Sequence, residues 1–266
     1  MAGPITSKFR KTVFVVSTGR TGTQAIANYF DQSFVEVTAV HEPRPSRRFR
    51  VLSNRRLCGR TTDARVARSL IRSRKRLLKH IDNDIYLEAN PFLHGCLPAI
   101  ELAFPGAWLV HIVRDPRTYI PSHINHGVFR GLKGLAGCCF PYWLLKPDHY
   151  EASPHRRWAD MAHQERLAWR WNTINGVLEQ GSEIFGDRYL RIRYEDLFDA
   201  HKSGLVAMAD WLQLPDTERV RAAASGSRHN ASRGTSFPPF QEWDSTTQEA
   251  VMKHCGKRMS EYGYRA

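Results

Sequence analysis

Runs of apolar residues alternate with amphipathic stretches along the chain. Thr12 to Ser17 is a β-branched and aromatic run that ends in a Ser/Thr/Gly/Arg cluster and passes straight into a helical pattern. This predicts a buried strand over 12–17 and a helix over 22–31. Further strands are predicted over 34–40, 85–88, 107–113 and 188–193. Helices are predicted from the Asn90-Pro91 turn to about Phe104, from Arg114-Asp115-Pro116-Arg117 with proline in the first turn, and over 157–180; a short one ends near Leu214-Pro215, and the last spans 245–259. Pro43 and Pro45 stop the second strand, and the segment they open reads as a basic loop. Thr62-Asp63 then starts a helix with Val66, Ala67, Leu70, Ile71, Leu77 and Leu78 at helical spacing, leaving Arg65, Arg68, Arg72, Arg74, Arg76 and Lys79 largely to the other faces. Residues 128–147 hold no period and read as a long, partly apolar loop or broken helix, within a lid-like segment over about 128–156. Trp158, Trp169 and Trp171 read as core anchors. Residues 225–239 read as a Gly/Ser/Arg/Pro loop.

Near-continuous apolar strands alternating with helices argue for an α/β fold in three layers, a central, mainly parallel sheet flanked by helices. With 266 residues, 42% of them hydrophobic, the chain supplies one sizeable core, and a single domain over 1–266 is expected.

Charge sharpens this picture once it is located. The formal net charge is +13, and between Arg44 and Lys79 fourteen Lys/Arg stand against the single acid Asp63, so the whole excess belongs to a basic insertion over about 44–80. Its readings are a solvated helix face, steering of an anionic substrate, peripheral contact with an anionic membrane, or contact with nucleic acid. The polar N-terminus and the lack of an 18-residue apolar run lead to the expectation of a soluble, cytoplasmic protein without a secretory signal. Cys58, Cys96, Cys138, Cys139 and Cys255 show neither C-x-x-C nor zinc spacing, so reduced thiols are expected, with no metal and no disulfide.

The cluster after the first strand, Ser17-Thr18-Gly19-Arg20-Thr21-Gly22-Thr23, is by mechanism an anion cradle: a tight turn that delivers backbone N–H groups and a helix N-terminus to one point. It lacks the lysine of G-x-x-x-x-G-K-[ST], which argues against the end of ATP or GTP as the anion.

Together with two later segments, this loop resembles the sulfotransferases that use 3′-phosphoadenosine 5′-phosphosulfate. Ser17 to Thr23 is similar to that family's 5′-phosphosulfate loop. Val113-Arg114-Asp115-Pro116-Arg117 with Ser122 is similar to its 3′-phosphate motif, and Arg193-Tyr194-Glu195-Asp196-Leu197 to the segment whose Tyr lies near the adenine. More weakly, Asn230-Ala-Ser-Arg233-Gly234 resembles the late loop that returns to the 3′-phosphate, and Tyr262-Gly263-Tyr264 the usual terminus. The resemblance implies a P-loop-like nucleotide-binding fold and a donor held by Thr18, Gly19, Arg20, Thr21, Gly22, Thr23, Gln24, Arg114, Ser122, Tyr194, Arg233 and Gly234. It also implies metal-independent transfer of a sulfuryl group to an acceptor hydroxyl, with adenosine 3′,5′-bisphosphate as product. Many family members carry Lys where this chain has Arg20, which is expected to stabilise the bridging oxygen instead.

The attacking hydroxyl must lose its proton, so a base is wanted. His41-Glu42-Pro43 is similar to the K-E-P or K-E-V segment of heparan-type members, which makes Glu42 the expected base. His41 competes, because cytosolic members use a His and its ordinary pKa suits the task. The expected acceptor is a small molecule, lipid or glycan: the basic insertion suits an anionic one and the 128–145 segment an apolar one, and no specific nucleic acid is called for. Two other classes stay open, a P-loop-type phosphotransferase or kinase acting on ATP with Mg²⁺, and a basic nucleic-acid or membrane-binding module.

Overall fold

In the computed structural model of the protein, residues 8–152, 156–215 and 237–265 are described. Five strands form one sheet: β1 Lys11–Ser17, β2 Val37–His41, β3 Ile85–Ala89, β4 Trp108–Val113 and β5 Tyr189–Arg193, in the order β2-β3-β1-β4-β5. All four pairings are parallel. Every residue of β1 is buried, as expected of a central strand covered on both faces. Its side chains alternate. Val13 and Val15 pack with Ile26, Ala27 and Phe30 of helix α1 (Thr23–Ser33) and with Leu205 and Met208 of α10 (Ser203–Trp211). Phe14 and Val16 face the opposite layer, with Phe49 of α2 (Ser46–Leu57), Val66 and Leu70 of α3 (Asp63–Lys79), Ile100 of α4 (Leu97–Ala103) and Ile174 of α8 (His163–Glu179).

The remaining helices are α5 (Pro116–Asn125), α6 (Gly131–Cys139), α7 (Pro147–Tyr150), α9 (Gly181–Phe185) and α11 (Ser245–Glu261). α5 begins as its sequence predicts, with Asp115 capping the N–H of Arg117 at 2.8 Å and Pro116 in the first turn. No helix among the described residues is long and apolar enough to cross a membrane.

Several sequence expectations need correction. Residues 46–57 form a helix, not a basic loop: arginine is a good helix former, and Phe49 and Ser53 bury one face completely. The 128–147 segment, open between a loop and a broken helix, takes the second form, α6 followed by the turn before α7; Leu144 and Leu145 are buried, and Asn54 Nδ2 donates to the Tyr142 carbonyl at 2.7 Å. The helix expected from residue 157 starts at His163, after a separate turn at Trp158–Asp160, where Asp148 accepts from the Trp158 N–H at 2.8 Å. Trp158 stays half-buried, whereas Trp169 and Trp171 are core anchors.

Arg74 is the largest departure. Placed among the outward residues of its helix by sequence, it has 0% exposure and pairs with Glu88, also at 0%, through Nε and Nη2 at 2.6 Å each. Tyr86 OH and Asn90 Nδ2 donate to the same carboxylate at 2.8 and 2.9 Å, so the buried charge is fully hydrogen-bonded, as it must be to be tolerated. The other predicted outward residues, Arg65, Arg68, Arg72, Arg76 and Lys79, are exposed.

Candidate active site

The strand order reverses at β1, which lies between β3 and β4. In open parallel sheets a ligand crevice forms beyond the carboxyl ends of the strands at such a switch point. The loops leaving β1, β2, β4 and β5 carry the candidate residues to that edge.

The β1 loop is built for close approach. Gly19 and Gly22 have φ of +89° and +73°, and Arg20 adopts +56°. A Cβ on Gly22 would meet the Phe198 ring at 2.9 Å, so glycine is required there by space as well as by conformation. The Ser17 hydroxyl accepts from the Gly19 N–H at 3.1 Å and from the Thr21 hydroxyl at 2.6 Å, closing the turn from within. Gly22 is the N-cap of α1 and no side chain caps that end, so the first-turn N–H groups and the positive end of the helix dipole are not consumed by a side chain. Gln24 lies exposed on that first turn.

Arg114 joins the β4 end to this loop. Its Nη1 donates to the Arg20 carbonyl at 2.6 Å and its Nε to the Thr118 hydroxyl at 3.1 Å, and its guanidinium lies 4.2 Å from the Tyr194 ring. Asp115 does not neutralise it: that carboxylate is held by Arg117 at 2.7 Å. Burial pushes the Arg114 pKa down, against the pull of Tyr194 and Glu195. Arg20 Nε in turn donates to the Ser122 hydroxyl at 3.3 Å. The Arg114 backbone is fixed by Trp171 Nε1, which donates to its carbonyl at 2.8 Å. Glu195 accepts from the Asp115 N–H at 3.1 Å and from Tyr264 OH at 2.8 Å, which ties the terminus to the β4 and β5 ends.

On the other side of the loop, Thr23 Oγ1 lies 3.2 Å from His41 Nε2, which lies 3.7 Å from Glu42 Oε1. Burial pushes the His41 pKa down. Burial pushes that of Glu42 up, against the pull of Arg50 and Arg47. Glu42 has φ of +44°, in the left-handed region that non-glycine residues occupy at a cost and that is frequent at functional sites. Its N–H donates to the Ala89 carbonyl at 3.1 Å, extending the β2–β3 register one residue past the strand.

Thr18, Gly19, Arg20, Thr21, Gly22, Thr23, Gln24, Arg114, Ser122, Tyr194, His41 and Glu42 therefore share one sheet edge. Arg233 and Gly234 lie outside the described residues. Sequence reasoning missed His123, which follows Ser122 on α5, and Tyr119, whose ring lies 4.3 Å from that of His123. A Cβ on Gly19 would lie 3.6 Å from His123 Cε1. Thr18 Oγ1, Tyr119 OH and His123 Nε2 are buried without a hydrogen-bond partner among the described residues. Thr18 nonetheless lies within reach of Tyr119, and the Gly19 backbone within reach of His123, so these groups brace the floor of the glycine turn. Burial pushes the His123 pKa far down, with Arg170 and Arg20 adding to it. Arg50 and Arg170 were also missed: the first is one of fourteen basic residues in the basic stretch and the second stands between two tryptophans.

No curated protein gives a significant sequence match. Among solved structures, the sulfotransferase domain from the curacin biosynthetic pathway superposes with a TM-score of 0.55 at 14% identity, covering 96% of this chain and 98% of that one, a likeness of fold. The sequence itself matches the sulfotransferase family over residues 12–218. That span includes β1 with its loop, Glu42, Arg114, Ser122 and Tyr194, and the chain belongs to the sulfotransferase family.

Proposed function

We propose that the protein moves a sulfuryl group from 3′-phosphoadenosine 5′-phosphosulfate to an acceptor hydroxyl, with Glu42 as the base. The observation that carries this reading is the contact of Arg114 with the Arg20 carbonyl at 2.6 Å, which joins a 3′-phosphate reader to a 5′-phosphosulfate cradle across the switch point. When bound, the donor supplies an activated sulfuryl group. The first-turn N–H groups of α1, the Thr23 hydroxyl and the Arg20 guanidinium bind its 5′ end, while the Thr21 hydroxyl, bonded to Ser17, shapes the loop. Arg114 and Ser122 bind the 3′-phosphate, the guanidinium as a planar fork, and Tyr194 backs that fork.

Transfer places the acceptor oxygen in line with the sulfur: an oxygen–sulfur bond forms, the bond from sulfur to the bridging phosphate oxygen breaks, and the hydroxyl proton passes to Glu42. Arg20 offsets the charge that gathers on the leaving phosphate. Burial prepares Glu42 for its role by raising its proton affinity. His41, kept neutral near pH 7 by its lowered pKa, holds the Thr23 hydroxyl at 3.2 Å and acts as a positioning residue.

Calorimetric titration separates this reading from nucleotide phosphotransfer. Adenosine 3′,5′-bisphosphate is expected to bind without metal and ATP–Mg²⁺ weakly; the reverse order would overturn the proposal.

A further inference from the structure

Two guanidinium groups, one of them within electrostatic reach of Glu42, are left over once the fold and the donor have taken their share. Half-buried or buried arginines of the basic stretch otherwise meet acids: Arg74 meets Glu88, and Arg56 meets Asp63 at 2.8 Å. Arg50, on α2, meets none. Its guanidinium lies 4.1 Å from the Phe92 ring and 4.7 Å from the Trp143 ring, and it forms no hydrogen bond or ion pair among the described residues. Arg170, on α8, donates one hydrogen bond there, from Nη1 to the Leu145 carbonyl at 3.2 Å. The two lie within electrostatic reach of each other. Burial, then the Arg170 charge, pushes the Arg50 pKa down to about 10, and Glu42 is the one acid that pulls the other way. Arg170 is lowered by burial as well.

Both side chains are half-buried, and two like charges partly withdrawn from water with no acid in contact favour an anion between them. Aromatic contacts hold the Arg50 fork in place while leaving its N–H edge free, an arrangement suited to a planar oxyanion. The location is also specific. The Arg170 charge acts on His94, as that of Arg50 does, and on Tyr119 and His123 under the β1 loop. Arg50 is thus within electrostatic reach of Glu42, and Arg170 of the residues beneath the β1 loop.

We propose that the acceptor carries an oxyanion, a carboxylate or a phosphate, which Arg50 and Arg170 hold while its hydroxyl lies against Glu42. This rests on the sulfuryl-transfer reading and narrows its substrate to an anionic hydroxyl compound. One consequence is coupling: an anion on Arg50 offsets the positive charge that holds Glu42 down, so acceptor binding makes the base stronger as it delivers the proton.

The test uses labelled donor, the full chain, and hydroxyl compounds of one skeleton in three forms: a hydroxy acid, its methyl ester and the corresponding hydroxyalkyl phosphate. The acid or the phosphate is expected to exceed the ester in kcat/KM by about 10- to 100-fold, the worth of a charge-assisted pair, and which of the two leads names the anion. Arg50→Gln should collapse that ratio and Arg50→Lys restore part of it, both with affinity for adenosine 3′,5′-bisphosphate kept within about twofold. Should Arg50→Gln not fold, Arg170→Gln reads the same ratio. Use of the ester as efficiently as both the acid and the phosphate by a wild-type protein that binds the bisphosphate overturns this inference alone. So does an Arg50→Gln protein whose bisphosphate affinity falls as far as its acceptor preference, since the pair would then serve the donor. A wild-type protein that does not bind the bisphosphate overturns the sulfuryl-transfer reading and this inference with it.

Discussion

Arg114 offers the most direct test of the donor site, because two roles converge on it and can be separated. Its Nη1 holds the Arg20 carbonyl at 2.6 Å and its Nε holds Thr118, while the face lies 4.2 Å from Tyr194. Only part of the fork is thus left for a phosphate. Arg114→Lys keeps the charge, yet one ammonium cannot serve the Arg20 carbonyl and present two parallel N–H groups at once. Losing one charge-assisted hydrogen bond costs about 1.5–3 kcal/mol, or about 10- to 150-fold in Kd at 1.4 kcal/mol per decade. Calorimetry with adenosine 3′,5′-bisphosphate and with 5′-AMP, which lacks the 3′-phosphate, reads the two roles apart. The bisphosphate should weaken by that factor and 5′-AMP by less than about threefold, so that the ratio reporting the 3′-phosphate falls. If both nucleotides weaken equally, Arg114 acts only through the loop it braces, and its assignment to the 3′-phosphate is wrong.

Glu42→Gln should retain bisphosphate affinity and lose turnover by about 10²- to 10⁴-fold; in the wild type, because burial raises the Glu42 pKa, activity should fail on the acid side at a pH above the usual carboxylate range, and a variant with full turnover would remove Glu42 as base. His94 and His111 have pKa values pushed to about 3 by burial, so between about pH 6.5 and 3 the unfolded chain binds more protons than the folded one and stability falls with pH, by about 2 kcal/mol per histidine at pH 5. Urea midpoints at pH 7.5 and 5 check this, and a His111→Asn protein with an unchanged pH slope would contradict it. Arg74→Met should cost about 3–5 kcal/mol because it strands the Glu88 charge; Arg74→Met with Glu88→Gln should recover part of that loss in a denaturation cycle, and a costlier double variant would show that Glu88 is not stranded.

The strands were legible because burial on both faces writes a run of apolar residues with no ambiguity of period, as in Thr12 to Ser17. The β1 loop, Arg114 and Tyr194 were legible because each sits within a few residues of a strand end, where local sequence carries the geometry. Arg74 was misplaced although its spacing held the clue: with Leu70 and Leu78 it lies at i, i+4 and i+8, on the buried stripe of α3. Sorting residues by polarity hid this, since the acid that permits its burial stands on β3, remote in sequence. Residues 46–57 were hidden as a helix for a related reason, their arginines masking the buried face of Phe49 and Ser53. His123, Arg50 and Arg170 reach the site from three different helices, and nothing local distinguishes Arg50 from the exposed Arg48 and Arg55 beside it.

The basic excess therefore divides by partner more than by position. The outer residues of α3 are solvated and can raise the local concentration of anions without fixing any. Arg74 is structural, and its reach extends to the chemistry. Besides Glu88 it donates from Nη1 to the Arg44 carbonyl at 3.3 Å, two residues beyond Glu42, while the Glu42 N–H is held by Ala89 on the strand that carries Glu88. The strained residue is thus pinned on both sides by β3 and the pair buried beneath it, which supplies the local over-determination that a left-handed glutamate requires. Arg50 follows a turn later on the helix that this anchored segment opens. One stretch of chain thereby sets the proposed base and a cation with no ion-pair partner among the described residues in fixed relation, and that relation, more than the total charge, would suit the site to select among acceptors.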